Sequence, residues 1–349
     1  MYNVKLSSKH SAFTLIAVEV FILGFSLLTS IALELFAPSL DEATTYFIQI
    51  GATQLSIALA AIAAITLSRR ETDFSISDLS PAPIHLRDML SLAVSACGLM
   101  LFTLPLASLF SMLLESLGVA MPTSPVTFGN SSEFLLGLVF VCVLPALCEE
   151  FAVRGLMLNG LVRLGAMPAM LLTGFIFAIM HGNPYQLIHQ FFLGAVVAYV
   201  VLVSRNILSA MIMHFTNNFI ALVLSALTSQ AVSEPLPEGA TSTLGPLEII
   251  MTIVIFGFMM VVGAMLFSSK IKAWTRSTIL SHVERHPEKR HTYTRWCDAR
   301  GILPYVARLC EWTTDTRGQR ERPSFILFIA ILFALLILGL NTWTMVALL

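Results

Sequence analysis

Apolar positions in this chain neither alternate nor recur at helical spacing; they run on without interruption. Runs at 12–36, 45–67, 89–114, 207–227, 247–267 and 325–349 are each long enough for a helix across a bilayer core, which takes about 20 residues. Three shorter runs, at 134–148, 166–180 and 187–203, cluster in the middle and reach that length only by taking in polar residues at their ends. The pattern predicts an all-α, polytopic membrane protein with about nine transmembrane helices. Lys5 and Lys9 ahead of the first run give it the look of a signal peptide. Its 25 residues and the lack of a small-residue cleavage site predict a retained helix instead.

Composition closes off the soluble alternative. Hydrophobic residues make up 56% of the 349 and charged residues 12%, with a mean hydropathy of +0.83. A soluble domain carries about 45–50% and about 25% respectively, enough polar surface to cover its core. The five cysteines (97, 142, 148, 297 and 310) are odd in number and include no CxxC, so neither a disulfide framework nor a zinc ribbon is implied.

The net charge of −1 conceals an uneven distribution: residues 270–322 hold 12 of the 20 Lys and Arg. With nine alternating spans and a cytosolic N-terminus, the inner segments are 1–11, 68–88, 159–165, 204–206 and 268–324. These contain 19 of the 20 basic residues, all but Arg154. The outer segments 37–44, 118–133 and 228–246 carry carboxylates and no basic residue, as the positive-inside rule requires. The expected divisions are two helices and a loop at 1–88, a core at 89–269, a basic cytosolic insertion at 270–322 and a last helix at 323–349. The expected location is the cell membrane, with the lipid bilayer and a peptide or membrane-protein substrate as partners and no nucleic acid.

Charges inside a bilayer are costly, about 2.5–3.5 kcal/mol each on insertion scales, so each requires a reason. Glu150 and Arg154 stand four apart on one helix face, in the favourable acid-then-base order. Glu149, about 100° further round, has no such neighbour and needs either a proton or a partner on another helix. Pro145 lies four residues ahead of it, where it would bend the helix and admit water. The next run ends at His181, just before a Gly-x-Pro break, and a later run places His214 and Asn218 one turn apart on one face. Three helices thus offer a base, an imidazole and a hydrogen-bonding His/Asn pair, a set able to hold a water and stabilise an oxyanion.

Glu149-Glu150-Phe-Ala-Val-Arg154, Phe177-Ala-Ile-Met-His181 and His214-Phe-Thr-Asn-Asn218 occur in that order. They resemble the three motifs of the CPBP intramembrane proteases, the family of the Rce1-type CAAX prenyl endopeptidases and their bacterial Abi relatives. The resemblance covers about residues 88–227. It implies that Glu149 and His181 activate the attacking water and that His214 and Asn218 stabilise the oxyanion. Glu150 and Arg154 would order the site, with a share of Glu150 in the chemistry left open. On this reading no cofactor is needed. Glu149, His181 and His214 would also suffice as three ligands of an open zinc site, although no HExxH is present.

Blander readings stand beside these. Glu150 and Arg154 would serve equally as a structural clamp, His181 as a helix-end histidine, and His214 with Asn218 as interhelical glue. For the whole cluster the alternatives are a proton relay in a transporter, or a non-catalytic scaffold or immunity protein. A transporter usually shows internal repeats, whereas the triplet occurs once. Glu19 inside the first span has no local cation, His189 reads as a supporting group, and Asn217 faces about 100° away from Asn218. The histidines and cysteines of 270–322 match no zinc module, and that segment reads as a basic surface facing anionic headgroups.

Overall fold

The computed structural model describes residues 5–79, 84–122, 124–231, 246–285 and 321–347. Among them there is no strand. The described residues form nine helices: α1 (Ser8–Phe36), α2 (Glu42–Ser68), α3 (Leu86–Ser116), α4 (Ser131–Leu164), α5 (Ala166–Met180), α6 (Leu187–Ser204), α7 (Ile207–Ala231), α8 (Pro246–Arg285) and α9 (Phe325–Ala347). Eight are long and apolar enough to cross a membrane. The exception, α5, has 15 residues and covers about 22 Å at 1.5 Å per residue, short of a hydrocarbon core of about 30 Å. The protein is an all-α, multi-pass membrane protein.

Polar residues at the run boundaries start the helices. Asp41 accepts from the Thr44 amide at 2.9 Å, and Asn130 accepts from the Glu133 amide at 2.8 Å, each satisfying an orphan donor of a first turn. Asn183 accepts from the Tyr185 amide at 3.0 Å, which opens the single 3₁₀ turn Pro184–Gln186 leading into α6.

One boundary differs from the sequence reading. The apolar run at 134–148 is part of α4, which runs 34 residues to Leu164 and takes in most of the segment 159–165 expected on the inner side. The acidic motif therefore lies inside a long helix. That helix changes pitch twice, with π-helical segments at Leu138–Val143 and Phe151–Met157 on either side of a regular stretch holding Glu149 and Glu150. Such widened turns are rare and occur frequently at functional sites. Pro145 has no N–H, so the Val141 carbonyl four residues earlier loses its α-helical donor.

Contacts between loops sort the ends of the helices into two sides. On one, Lys5 bonds Asp78 at 3.0 Å, Lys9 approaches Glu71 at 3.4 Å, and Glu321 takes the Ser8 amide at 2.6 Å and faces Arg163 at 3.9 Å. On the other, the Ala120 amide reaches the Met345 carbonyl at 3.3 Å and Tyr185 donates to the Val119 carbonyl at 2.6 Å. The first group joins segments expected on the inner side. The second joins 118–133 to the α5–α6 turn and the end of α9, expected on the outer side. α8 runs through residue 270 to Arg285. His286, His291, Cys297 and Cys310 of the basic segment lie outside the described residues.

Glycines set the closest helix packing. A methyl group on Gly98 of α3 would stand 2.5 Å from the Phe267 nitrogen of α8, and one on Gly263 would stand 2.5 Å from the Phe102 nitrogen. Small residues are what bilayer helices need for backbones to approach this closely. The rest of α8 faces outward: only 6% of its most apolar stretch is buried, and Phe258 and Met265 are exposed on that face.

Candidate active site

A cavity of 660 Å³ is enclosed by residues of all seven helices from α1 to α7, and Glu149, His181, His214 and Asn218 all line it. Ile22, Ile57, Met100, Leu104 and Phe140 supply an apolar wall. Glu150 and Arg154 are not on the cavity surface. Both side chains are 0% exposed and sit behind it.

Glu149 is held from a helix that the sequence motifs do not include. Gln54 of α2 donates through Nε2 to Glu149 Oε1 at 2.9 Å. Because a carboxylate only accepts, this bond fixes the orientation of the Gln54 amide. The other oxygen, Oε2, faces two imidazoles, at 4.0 Å from His181 Nε2 and 4.0 Å from His214 Nε2. A polar residue in the apolar run 45–67 was the available signal for Gln54.

Both imidazoles are oriented through Nδ1. His181 Nδ1 donates to the Phe177 carbonyl at 2.7 Å, one turn back at the end of α5, where that carbonyl has no helical partner. His214 Nδ1 donates to Glu150 Oε1 at 2.7 Å. The two Nε2 atoms are therefore left to face Glu149. The same Glu150 oxygen receives Arg154 Nη1 at 2.9 Å, and Arg154 Nη2 donates to the Gly194 carbonyl of α6 at 3.1 Å. Phe177 fills the centre: its ring lies 4.3 Å from the Arg154 guanidinium and meets His181 and His214 edge-on at 4.7 and 5.6 Å. Cation–π contact of this kind helps keep a desolvated guanidinium inside a bilayer.

The spacing around Glu149 lies between that of a zinc site and that of a bridging water. Ligands of tetrahedral zinc stand about 3.4 Å apart, given bonds of about 2.0–2.1 Å. Two acceptors bridged by one water stand about 4.3 Å apart, given hydrogen bonds of about 2.75 Å. The observed separations of 4.0 Å fall nearer the second figure. Among the described residues no group of three His, Cys, Asp or Glu side chains is set to hold a metal ion.

Asn218 Nδ2 donates to the Val141 carbonyl at 2.9 Å, taking up the acceptor that Pro145 leaves free. Two further residues reach the cavity. His189 Nε2 lies 3.0 Å from Asn217 Oδ1, and Asn217 Nδ2 lies 3.3 Å from Asn218 Oδ1. Asn217, expected to face away, lines the cavity because α7 presents an arc of about 100° to it, from Asn217 round to Asn218. Glu19 is buried in α1 with no hydrogen-bond partner at Oε1.

Gly194 joins the packing to the site. A methyl group there would stand 2.8 Å from Gly174 Cα and 3.1 Å from Phe177 Cβ. Gly194→Ala is expected to cost about 1–3 kcal/mol by overpacking and to push Phe177 off Arg154. A lowered thermal midpoint in detergent, together with reduced activity, is the expected reading.

A many-helix membrane fold enclosing a carboxylate, two imidazoles and an amide defines a class: polytopic proteins with a polar site inside their bundle. Within it, residues 131–220 match the family described as type II CAAX prenyl endopeptidase Rce1-like. That segment is 90 of the 349 residues and includes all six motif residues. Over it the chain is similar to that family, as the three motifs imply. Compared with curated proteins and with solved structures, the chain gives no match.

Proposed function

We propose that the protein is an intramembrane endopeptidase in which Glu149 and His181 activate a water. The observation that carries this reading is the convergence of Glu149 Oε2 with the two Nε2 atoms at 4.0 Å. A water placed there donates one hydrogen to Glu149 and the other to His181 Nε2, leaving a lone pair for the substrate carbonyl carbon. As the C–O bond forms, Glu149 takes the proton. The carbonyl oxygen becomes an oxyanion and receives hydrogen bonds from His214 Nε2–H and Asn218 Nδ2–H. For His214 to donate there while also donating to Glu150, it must be the imidazolium. Glu150 supplies the counter-charge, and with Glu149 and Arg154 the cluster sums to zero. On collapse the C–N bond breaks and Glu149 returns the proton to the leaving amine.

Glu150 and Arg154 act through His214 as positioning residues. The amphipathic cavity suits an extended peptide segment with apolar side chains. A CAAX tail is what the matched family's description names, and no cavity feature selects for a prenyl group. The basic side carrying Lys5 and Lys9 is proposed to be cytosolic, and the membrane the cell membrane.

The test is cleavage of a fluorogenic peptide library by the purified chain, with and without a strong chelator. Cleavage that His181→Ala lowers about 100-fold and chelator leaves unchanged is the expected result. Activity lost to chelator and restored by zinc would overturn the water-only mechanism. Proton flux in proteoliposomes with no cleavage would favour a transporter.

A further inference from the structure

Asn218 stands at the end of a hydrogen-bonded chain that crosses the cavity wall and has a defined direction. Thr103 Oγ1 of α3 lies 2.7 Å from His189 Nδ1 of α6. His189 Nε2 lies 3.0 Å from Asn217 Oδ1, Asn217 Nδ2 lies 3.3 Å from Asn218 Oδ1, and Asn218 Nδ2 lies 2.9 Å from the Val141 carbonyl of α4. The chain ties four helices together and ends on a backbone oxygen, which can only accept.

That terminus sets the polarity of every link. Val141 requires Asn218 to present Nδ2, which leaves Asn218 Oδ1 toward Asn217. Oδ1 requires a donor, so Asn217 presents Nδ2 to it and Oδ1 to His189. His189 must then carry its proton on Nε2. Its Nδ1 takes the hydroxyl hydrogen of Thr103 or, if protonated as well, donates to Thr103, whose hydroxyl then turns to the Leu99 carbonyl 3.0 Å away. The chain stays satisfied in either charge state of His189. Each amide in it has one permitted orientation.

We infer that His189 and Asn217 are positioning residues that lock the Asn218 carboxamide with its second Nδ2–H aimed at the reacting carbonyl oxygen. The inference rests on the oxyanion role proposed above for Asn218. Without the chain, a half turn of that carboxamide would cost only its bond to Val141 and would present an oxygen lone pair to the oxyanion.

The test uses Asn217→Asp in the full chain purified in detergent. The new carboxylate still accepts from His189 but cannot donate to Asn218. Asn218 is then drawn round to give its Nδ2 to that carboxylate. With a fluorogenic peptide that the wild type cleaves, kcat is expected to fall about 10- to 100-fold with KM within about twofold, as a misaimed donor acts on the transition state. In an Asn218→Ala background the same substitution should cause no further loss, because its effect passes through Asn218. His189→Gln, which keeps a donor toward Asn217, should stay within a few fold of wild type, while His189→Leu should match Asn217→Asp. Equal and additive losses in both backgrounds would overturn the inference and leave a merely structural role. A second measurement is independent of cleavage. The ¹⁵N side-chain signals of Asn218 should change in chemical shift and in exchange rate in Asn217→Asp, as Nδ2 leaves the Val141 carbonyl for the carboxylate. Unchanged signals would overturn the relay. Wild-type cleavage by Asn218→Ala alone would instead overturn the oxyanion role, and the exchange measurement still decides the relay.

Discussion

Glu149→Gln is expected to lower kcat for peptide cleavage by about 10³-fold while leaving the fold intact. The amide keeps the size of the carboxylate and a carbonyl oxygen that can accept from Gln54 at the position now held at 2.9 Å. It cannot take a proton from water. General-base catalysis is worth about 10²–10⁴-fold, and here the same group also holds the water. KM should change little, since Glu149 faces the two imidazoles rather than the apolar wall. Steady-state kinetics with matched thermal unfolding curves check both halves. A thermal midpoint that falls with activity would point to a structural role.

Glu150→Leu is expected to be as damaging to activity and far more damaging to stability. It strands the Arg154 guanidinium, whose side chain is 0% exposed, with only the Gly194 carbonyl and the Phe177 ring as partners. Removing one partner of a buried ion pair costs about 3–5 kcal/mol, whereas replacing both by apolar groups is often neutral. The double variant Glu150→Leu with Arg154→Met should therefore recover much of the thermal midpoint and none of the activity. His214 Nδ1 would still lack its acceptor at 2.7 Å, and the imidazolium would lack its counter-charge. Recovery of activity together with stability would reduce Glu150 and Arg154 to a structural clamp.

Different parts of this protein were legible in its sequence to different degrees, for physical reasons. Spans were legible because a bilayer demands long apolar runs. Only α5 falls short, and it is the helix that places His181 at its end beside a chain break. The end of α4 was not legible, since the apolar run at 134–148 stops at the polar residues of 149–163. They are instead the part of a long helix that faces the site and the neighbouring loops. Glu149, His181, His214 and Asn218 share a cavity, as their motif spacing implies. What sequence could not give was the direction of each polar group. Gln54 reaches Glu149 from 95 residues away, and no local spacing announces such a contact. Asn217 was set aside on helical geometry alone, which is sound for a narrow stripe. It fails where a cavity wraps round the helix.

The most direct test of the central claim is mass spectrometry of cleavage products formed in ¹⁸O-labelled water by wild type and Glu149→Gln. The account predicts one ¹⁸O in each new carboxyl group from the wild type, no acyl adduct on the protein, and labelled product slower by about 10³-fold from the variant. An acyl adduct on the wild-type protein, or product labelled at the same rate by both, would contradict it.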